Sequence, residues 1–207
     1  MAVVGGAKIS TKIDILRHLA AKVDILAIGG GMANSFLLAD GVNIGASLHE
    51  ADQTETIAAI RKAAKEAGCR LLLPHDAAVA PRLEAGQTRK EIEVADGIAD
   101  TDMILDCGEQ SVHALIAALE EAATLIWNGP LGAFETPPFD TATNATARAA
   151  AARTRDGKLM SVAGGGDTLA ALKQAGAAQD FSYISTAGGA FLEWLAGRKL
   201  PALAALN

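Results

Sequence analysis

Residues 161–172 read SVAGGGDTLAAL: a short apolar run, three consecutive glycines, then Asp167, Thr168 and the start of a helical pattern. Glycine loses more backbone freedom on folding than any other residue and weakens a strand or helix that contains it. Here the glycines sit at the seam between the two elements. A backbone without Cβ atoms can approach an anion closely, and the N-terminus of the following helix adds roughly half a positive charge. The stretch therefore reads as strand, anion-accepting loop and helix.

The same arrangement recurs along the chain. Residues 2–4 lead to Gly5-Gly6 and a helical pattern through Ala20, and residues 25–28 lead to Gly29-Gly30-Gly31 and a short helix over 32–38. Ser47 and Glu50 form an S-x-x-E capping box ahead of a helix near 52–67, which Gly68 ends. A strand over 70–73 follows and stops at Pro74. Residues 103–105 read as a further strand, and Ser111 as the cap of a helix running to Ala123. The strand over 125–127 ends in Asn128-Gly129-Pro130. A helix over 142–153, a strand over 159–163, a last strand over 181–184 and a final helix from Gly188-Gly189 to Ala196 complete the pattern. Between residues 75 and 102 the only feature is a small antiparallel excursion around 91–94. Strands alternating with helices imply βαβ crossovers and a parallel sheet, and continuous apolar strands suit burial on both faces. The expected fold is α/β: a Rossmann-like parallel sheet with helices on both faces, three layers deep, as a single domain over residues 1–207.

Composition narrows the function. Hydrophobic residues make up 50%, charged residues 20% and aromatics 4%, and the net charge is -6. An acidic chain lacks the basic surface that nonspecific nucleic-acid binding requires. Its one basic concentration, Arg148, Arg153, Arg155 and Lys158, reads as a solvated helix end. Cys69 and Cys107 belong to no CxxC pattern and read as buried thiols of a reducing compartment. His18, His49, His75 and His113 show no metal-ligand spacing. No signal peptide opens the chain, and no apolar stretch approaches the length of a membrane span, so a cytoplasmic location without membrane contact is expected. A strand that begins at residue 2 suggests a domain cut from something longer.

In a parallel sheet all strand C-termini share one edge, and ligands bind in the crevice outside it. Gly5-Gly6, residues 29–31, Gly129, residues 164–166 and Gly188-Gly189 all fall at that edge, more than tight turns alone explain. Lys8 and Lys12 follow the first loop four residues apart, which places both ammoniums on one side if helical geometry has begun by Ile9. Asp167 among phosphates would be repelled unless a cation lies between, as when Mg²⁺ takes one carboxylate plus phosphate oxygens. Asp167 and Thr168 also suit a helix N-cap. G-x-x-x-x-G-K-[ST], G-x-G-x-x-G, H-R-D and D-F-G are absent, which excludes the P-loop, dinucleotide and protein-kinase patterns. The residues alone point to an α/β domain binding a Mg-nucleotide or another polyphosphate.

Five stretches occur in order: VVGGAKISTKI from residue 3, AIGGGMANSFL from 27, LIWNGPLGAFE from 125, SVAGGGDTLAAL from 161 and YISTAGGAFLEWLAG from 183. Together they resemble the C-terminal, nucleotide-binding half of the phosphoglycerate kinase family, down to KLPALAAL at the end. The resemblance implies reversible phosphoryl transfer between Mg-ATP and 3-phosphoglycerate by a cytoplasmic, monomeric enzyme. In that family the C-terminal lobe is Rossmann-like and holds ADP or ATP with Mg²⁺. A separate N-terminal lobe holds the glycerate through an arginine-rich patch, and a hinge closes the two. By resemblance, Lys8 meets the transferring phosphoryl and Lys12 the α/β phosphates. Gly6, Ala7, Gly29 and Gly30 lie against the adenosine. Asn128, Pro130 and Glu135 shape the ribose site, with Glu135 on the hydroxyls. Asp167 is the Mg²⁺ ligand and Thr168 a phosphate neighbour. Gly164 belongs to the nucleotide loop, and Gly165, Gly166, Gly188 and Gly189 offer N–H groups to the transferring group. The acceptor is a carboxylate, already ionised at neutral pH, so no general base is needed.

The departures from the family pattern are Ala187 and Ala142 where glycines are usual, and His75 and Ala77 in the loop LLLPHDAAVA. The expected lobe lacks the glycerate site, so the chain alone is expected to bind nucleotide without turnover, and residues 198–207 form a tail that docks on the other lobe. The alternative is a stand-alone Mg-nucleotide module working with a separate partner lobe. A decayed scaffold is disfavoured by the joint presence of Lys8, Lys12, Glu135 and Asp167.

Overall fold

The structure, a computed structural model, describes residues 1–198. All but the first position of the expected docking tail lies outside the described residues. The strands are β1 (Ala2–Val4), β2 (Ile25–Ile28), β3 (Arg70–Leu72), β4 (Asp76–Ala80), β5 (Lys90–Glu93), β6 (Met103–Cys107), β7 (Thr124–Asn128), β8 (Met160–Gly164) and β9 (Tyr183–Ser185). The helices are α1 (Ile13–Ala20), α2 (Gly30–Ala39), α3 (Thr54–Ala67), α4 (Glu109–Glu121), α5 (Thr141–Arg155), α6 (Gly166–Gln174) and α7 (Gly188–Leu195).

Six strands form a parallel sheet in the order β3-β2-β1-β7-β8-β9. The chain winds outward from β1 in one direction and from β7 in the other, so the winding reverses between these two strands. Val4 pairs in register with both Ile28 and Asn128, which brings three strand ends level at that reversal. Alternation along the strands feeds two cores. Val3, Ile25, Ala27, Leu125 and Trp127 face α4 and α5. Ala2, Val4, Leu26 and Ile28 face α1, α2, α3 and α7. Both faces are covered, the expected α/β arrangement. With few aromatics the cores rest on Ala, Ile, Leu and Val, and each of the larger ones contributes about 1.5–3 kcal/mol when fully buried.

Four expectations fail in detail. Residues 103–105 do not add to the parallel sheet. They belong to β6, which pairs antiparallel with β4 in a separate three-stranded sheet of order β5-β4-β6. The first residues of β6 are half-buried and its last three buried, which suits a small sheet with one wetter side. The antiparallel excursion expected around 91–94 is itself present, as β5 paired with β4. The S-x-x-E box does not cap α3: Gln53 precedes that helix, and Glu50 instead accepts hydrogen bonds from the Ser10 backbone (2.8 Å) and hydroxyl. Ser111 lies inside α4 and not at its start. The cap is the buried Asp76 carboxylate, which accepts Gln110 N–H at 2.8 Å and Ser111 N–H at 2.7 Å. Finally, α1 begins only at Ile13, so helical spacing does not relate Lys8 to Lys12. Gly68 does end α3, with φ of 72° in the left-handed region.

Candidate functional site

The glycines at the sheet's C-terminal edge divide into two groups by what a side chain there would meet. A Cβ on Gly29 would fall 2.8 Å from the Leu131 side chain, on Gly30 2.7 Å from the Gly6 carbonyl, and on Gly31 2.6 Å from the Ala7 carbonyl. Gly5 and Gly129 likewise meet backbone, and Gly164 meets the Phe191 ring. In these places glycine lets the loops after β1, β2 and β7 lock together. Around Gly166 and Gly189, in contrast, a Cβ would meet nothing within 4 Å, and at Gly188 only the Gly165 Cα at 3.9 Å. Those glycines keep backbone open to solvent and bring the starts of α6 and α7 side by side.

Neither of those helix starts has a side-chain cap. The first N–H groups of α6 (Gly166, Asp167 and Thr168) have no acceptor among the described residues, nor do those of Gly188, Gly189 and Ala190. Unsatisfied N–H groups at a helix N-terminus attract anions through both hydrogen bonding and the helix dipole. Two such ends together make the more electropositive part of the edge. The α2 start is different: Leu131 O and Gly6 O accept its Gly30 and Met32 N–H groups at 2.7 and 3.1 Å.

Lys12 lies at the point where the winding reverses. Its ammonium donates to Gly5 O at 2.6 Å, just past β1, and is 3.4 Å from Asn128 O at the end of β7. Burial lowers its pKa to about 8, against the opposing pull of the Asp167 carboxylate. A cation held by carbonyls in a partly dry site gains from an anionic guest more than an exposed one does. Asp167 is exposed in the first turn of α6. No group of three or more His, Cys, Asp or Glu side chains among the described residues could hold a metal. The donor set thus fits a cation that arrives with an oxygen-rich ligand and takes one carboxylate, and not a resident caged ion.

A cleft of about 430 Å³ opens beside this edge. Of the expected residues, Gly6, Ala7, Gly30, Pro130, Glu135 and Asp167 line it. Its far wall comes from β6 and the loop after β7, with Leu105, Leu131 and Phe134, and Leu48 and Leu83 stand more than 40% exposed at its margin. Thr168 and Asn128 serve inside the fold. The Thr168 hydroxyl donates to Gly164 O at 2.8 Å and accepts Gly129 N–H at 2.7 Å, and Asn128 Nδ2 donates to Gly164 O at 2.7 Å. Lys8 is exposed. Desolvation raises the Glu50 carboxyl, but the Ser10 hydrogen bonds and the charge of Lys8 outweigh it and hold the group below its usual range.

Sequence reasoning read a strand at 103–105 but placed it in the parallel sheet, and so missed that β6 walls the cleft and that Asp106 lies in it. The basic run is internally engaged: Arg153 donates to Glu120 O at 3.1 Å, Arg155 pairs with Asp180 at 3.2 Å and Lys158 with Asp156 at 3.9 Å. No helix among the described residues is long and apolar enough to cross a membrane.

A family model described as phosphoglycerate kinase matches residues 1–198. The phosphoglycerate kinase of Methylobacterium radiotolerans is 59% identical over 207 residues, covering 100% of this chain and 52% of that protein. That of Roseobacter denitrificans is 58% identical over 208 residues, covering 100% and 53%. Among solved structures, phosphoglycerate kinase from Coxiella burnetii superposes with a TM-score of 0.92 at 41% identity, over 99% of this chain and 51% of that one. The enzyme from Pyrococcus horikoshii gives 0.76 at 28% identity, over 99% and 51%. The chain spans about half the length of the curated relatives it matches. With a family model that matches nearly its whole length, the chain belongs to the phosphoglycerate kinase family.

Proposed function

We propose that this chain is the nucleotide-binding half of a phosphoglycerate kinase and holds Mg-ADP or Mg-ATP in the cleft beside the β1–β7 reversal. The observation that carries this reading is a mostly apolar cleft lined by Gly6, Ala7, Gly30, Pro130, Glu135 and Asp167, with the Lys12 ammonium behind Gly6, where a Cβ would come within 3.5 Å of it, and with Asp167 in the uncapped first turn of α6. A nucleotide has the matching shape: an apolar base, a ribose with hydroxyls for Glu135, and an anionic tail.

Lys12 and the N–H groups of α6 hold and orient the phosphates, and the backbone around Gly165, Gly188 and Gly189 faces the group being transferred. Lys8, which is exposed, supplies a cation for the group being transferred. Asp167 would hold a Mg²⁺ ion that comes in with the nucleotide, which would supply charge neutralisation at the phosphates. Phosphoryl transfer of this kind depends on positioning and electrostatic stabilisation, which these residues provide without a general base. The acceptor, 3-phosphoglycerate, binds through an N-terminal lobe that these motifs do not include. Half of a two-substrate site neither excludes water nor aligns the reactants, so the chain alone binds nucleotide and does not turn over.

Calorimetric titration with ADP, with and without Mg²⁺, tests this. One saturable site, strengthened by Mg²⁺ and weakened at least tenfold by Lys12→Ala, is the expected result, corresponding to ~1.4 kcal/mol or more. Absence of binding at millimolar ADP refutes the reading.

A further inference from the structure

Asp106 is 2% exposed and yet lines the cleft at the end of β6. Its Oδ2 accepts Ala142 N–H, in the first turn of α5, at 2.8 Å. Its Oδ1 is buried with no hydrogen-bond partner and lies directly under Gly132, where a Cβ would strike it. The neighbouring bonds run the same way. Ala133 N–H donates to Leu105 O at 2.7 Å, and Cys107 Sγ lies 3.8 Å from Leu131 O. Leu105 and Cys107 thus bond to the loop that carries Leu131, Phe134 and Glu135, Asp106 between them packs under its Gly132 and ties β6 to the start of α5, and this loop forms one wall of the cleft.

An unpartnered buried oxygen costs on the order of 1–3 kcal/mol, and an apolar residue at position 106 would avoid that cost. Resting on the nucleotide reading above, we propose that Asp106 is a positioning residue of the cleft, fixing the wall over residues 131–135 against β6 in the arrangement that receives ribose and base. The role is separate from that of Lys12 and Asp167, which face the phosphates.

The carboxyl is also a proton site. Burial raises its pKa to about 7, opposed by the Ala142 hydrogen bond and the charge of Arg89 and assisted by Asp140. The surrounding charged or titratable groups are Arg89, which donates to Cys107 O at 2.8 Å and pairs with Glu91 of β5, Asp76 on β4, Cys107 on β6, and Asp140 ahead of α5. An anionic ligand that excludes water from the cleft disfavours the charged carboxylate further. Ligand binding therefore takes up a proton, and affinity falls as pH rises through neutrality.

The test uses the chain with ADP as probe and two variants, Asp106→Asn, which keeps an acceptor for Ala142 N–H, and Asp106→Ala. Amide exchange of residues 131–136 is read by mass spectrometry against that of β1 and β7, and ADP affinity by calorimetry. In Asp106→Ala the wall exchanges at least tenfold faster while the sheet does not, and ADP affinity falls about tenfold. Between about pH 6 and 8 the wild type loses up to about tenfold in affinity relative to Asp106→Asn, a step that a purely structural part would not produce. If Asp106→Ala does not fold, that pH step decides. Wild-type binding with unchanged affinity and exchange in the variants, and no pH step, overturns the proposal and leaves the nucleotide site standing. Failure of the wild type to bind ADP removes the nucleotide reading and this role with it.

Discussion

Gly31 and Gly166 form a matched pair. Both lie in the first turn of a helix at the same sheet edge, and neither has a positive φ. A methyl group on Gly31 would sit 2.6 Å from the Ala7 carbonyl, well inside van der Waals contact, whereas one on Gly166 would meet nothing within 4 Å. Replacing Gly166 with Ala removes backbone entropy from the unfolded chain and stabilises by about 0.4–1 kcal/mol. At about 2–4 °C per kcal/mol for a chain of this size, its Tm rises by about 1–4 °C. Gly31→Ala gains the same term but forces backbone apart at about 1–3 kcal/mol, and its Tm falls by several degrees. Ligand affinity runs opposite to stability for Gly166→Ala. The new methyl stands beside free N–H groups, and losing one hydrogen bond to a charged acceptor costs about 1.5–3 kcal/mol, or roughly 10–100-fold in ADP affinity. Differential scanning fluorimetry and calorimetry on the two variants measure both quantities. A Gly166→Ala protein that melts lower than wild type, or binds ADP equally well, refutes the assignment of an open, anion-receiving edge at α6.

Asp106 also gives a signed pH dependence of stability. Its folded pKa of about 7 lies above the unfolded value of 3.8, so its favourable contribution is complete below pH 3.8 and disappears as pH rises to about 7. The limit is ~4 kcal/mol, and urea denaturation of Asp106→Asn should show a stability gain over wild type that grows across that window. Asp76 behaves oppositely: desolvation raises it, but hydrogen bonds from Ser111 and Gln110 outweigh burial and hold it below its usual range. Its contribution is therefore lost on acidification through that lowered range, and Asp76→Ala, which uncaps α4, should cost about 1–3 kcal/mol in urea at neutral pH. Lys12 titrates near 8; ADP affinity should decline as pH rises past that value, and Lys12→Met should abolish the decline without lowering Tm.

The main sheet was legible because its strands are short apolar runs, all but β3 leading to glycine while β3 stops at Pro74, and because parallel pairing buries both faces. The small sheet was not. β4 reads DAAVA, with little β-branched character to mark it, and Asp76 and Asp106 within these strands look like loop residues until their partners on α4 and α5 are seen. The S-x-x-E box failed for a similar reason: Ser10, forty positions away along the chain, competes for Glu50. At the site, the type of residue was readable and its direction was not. Lys12 turns inward to two carbonyls, Thr168 and Asn128 bond within the fold, and most of the edge glycines answer to neighbouring backbone. Such distinctions depend on contacts between loops far apart in sequence, which local pattern cannot encode.

The cleft has unlike ends. Toward β6 it is lined mostly by carbon; at its other end stands Asp167, in the first turn of α6, whose leading N–H groups are bare. An amphipathic guest can therefore lie in it only one way round, with its oily part toward β6 and its charged part at the α6 end. The fold acts as a polarised holder. On the nucleotide reading proposed above, the guest is offered reactive end outward, and a second reactant brought up on another body would find that end waiting without having to enter the cleft.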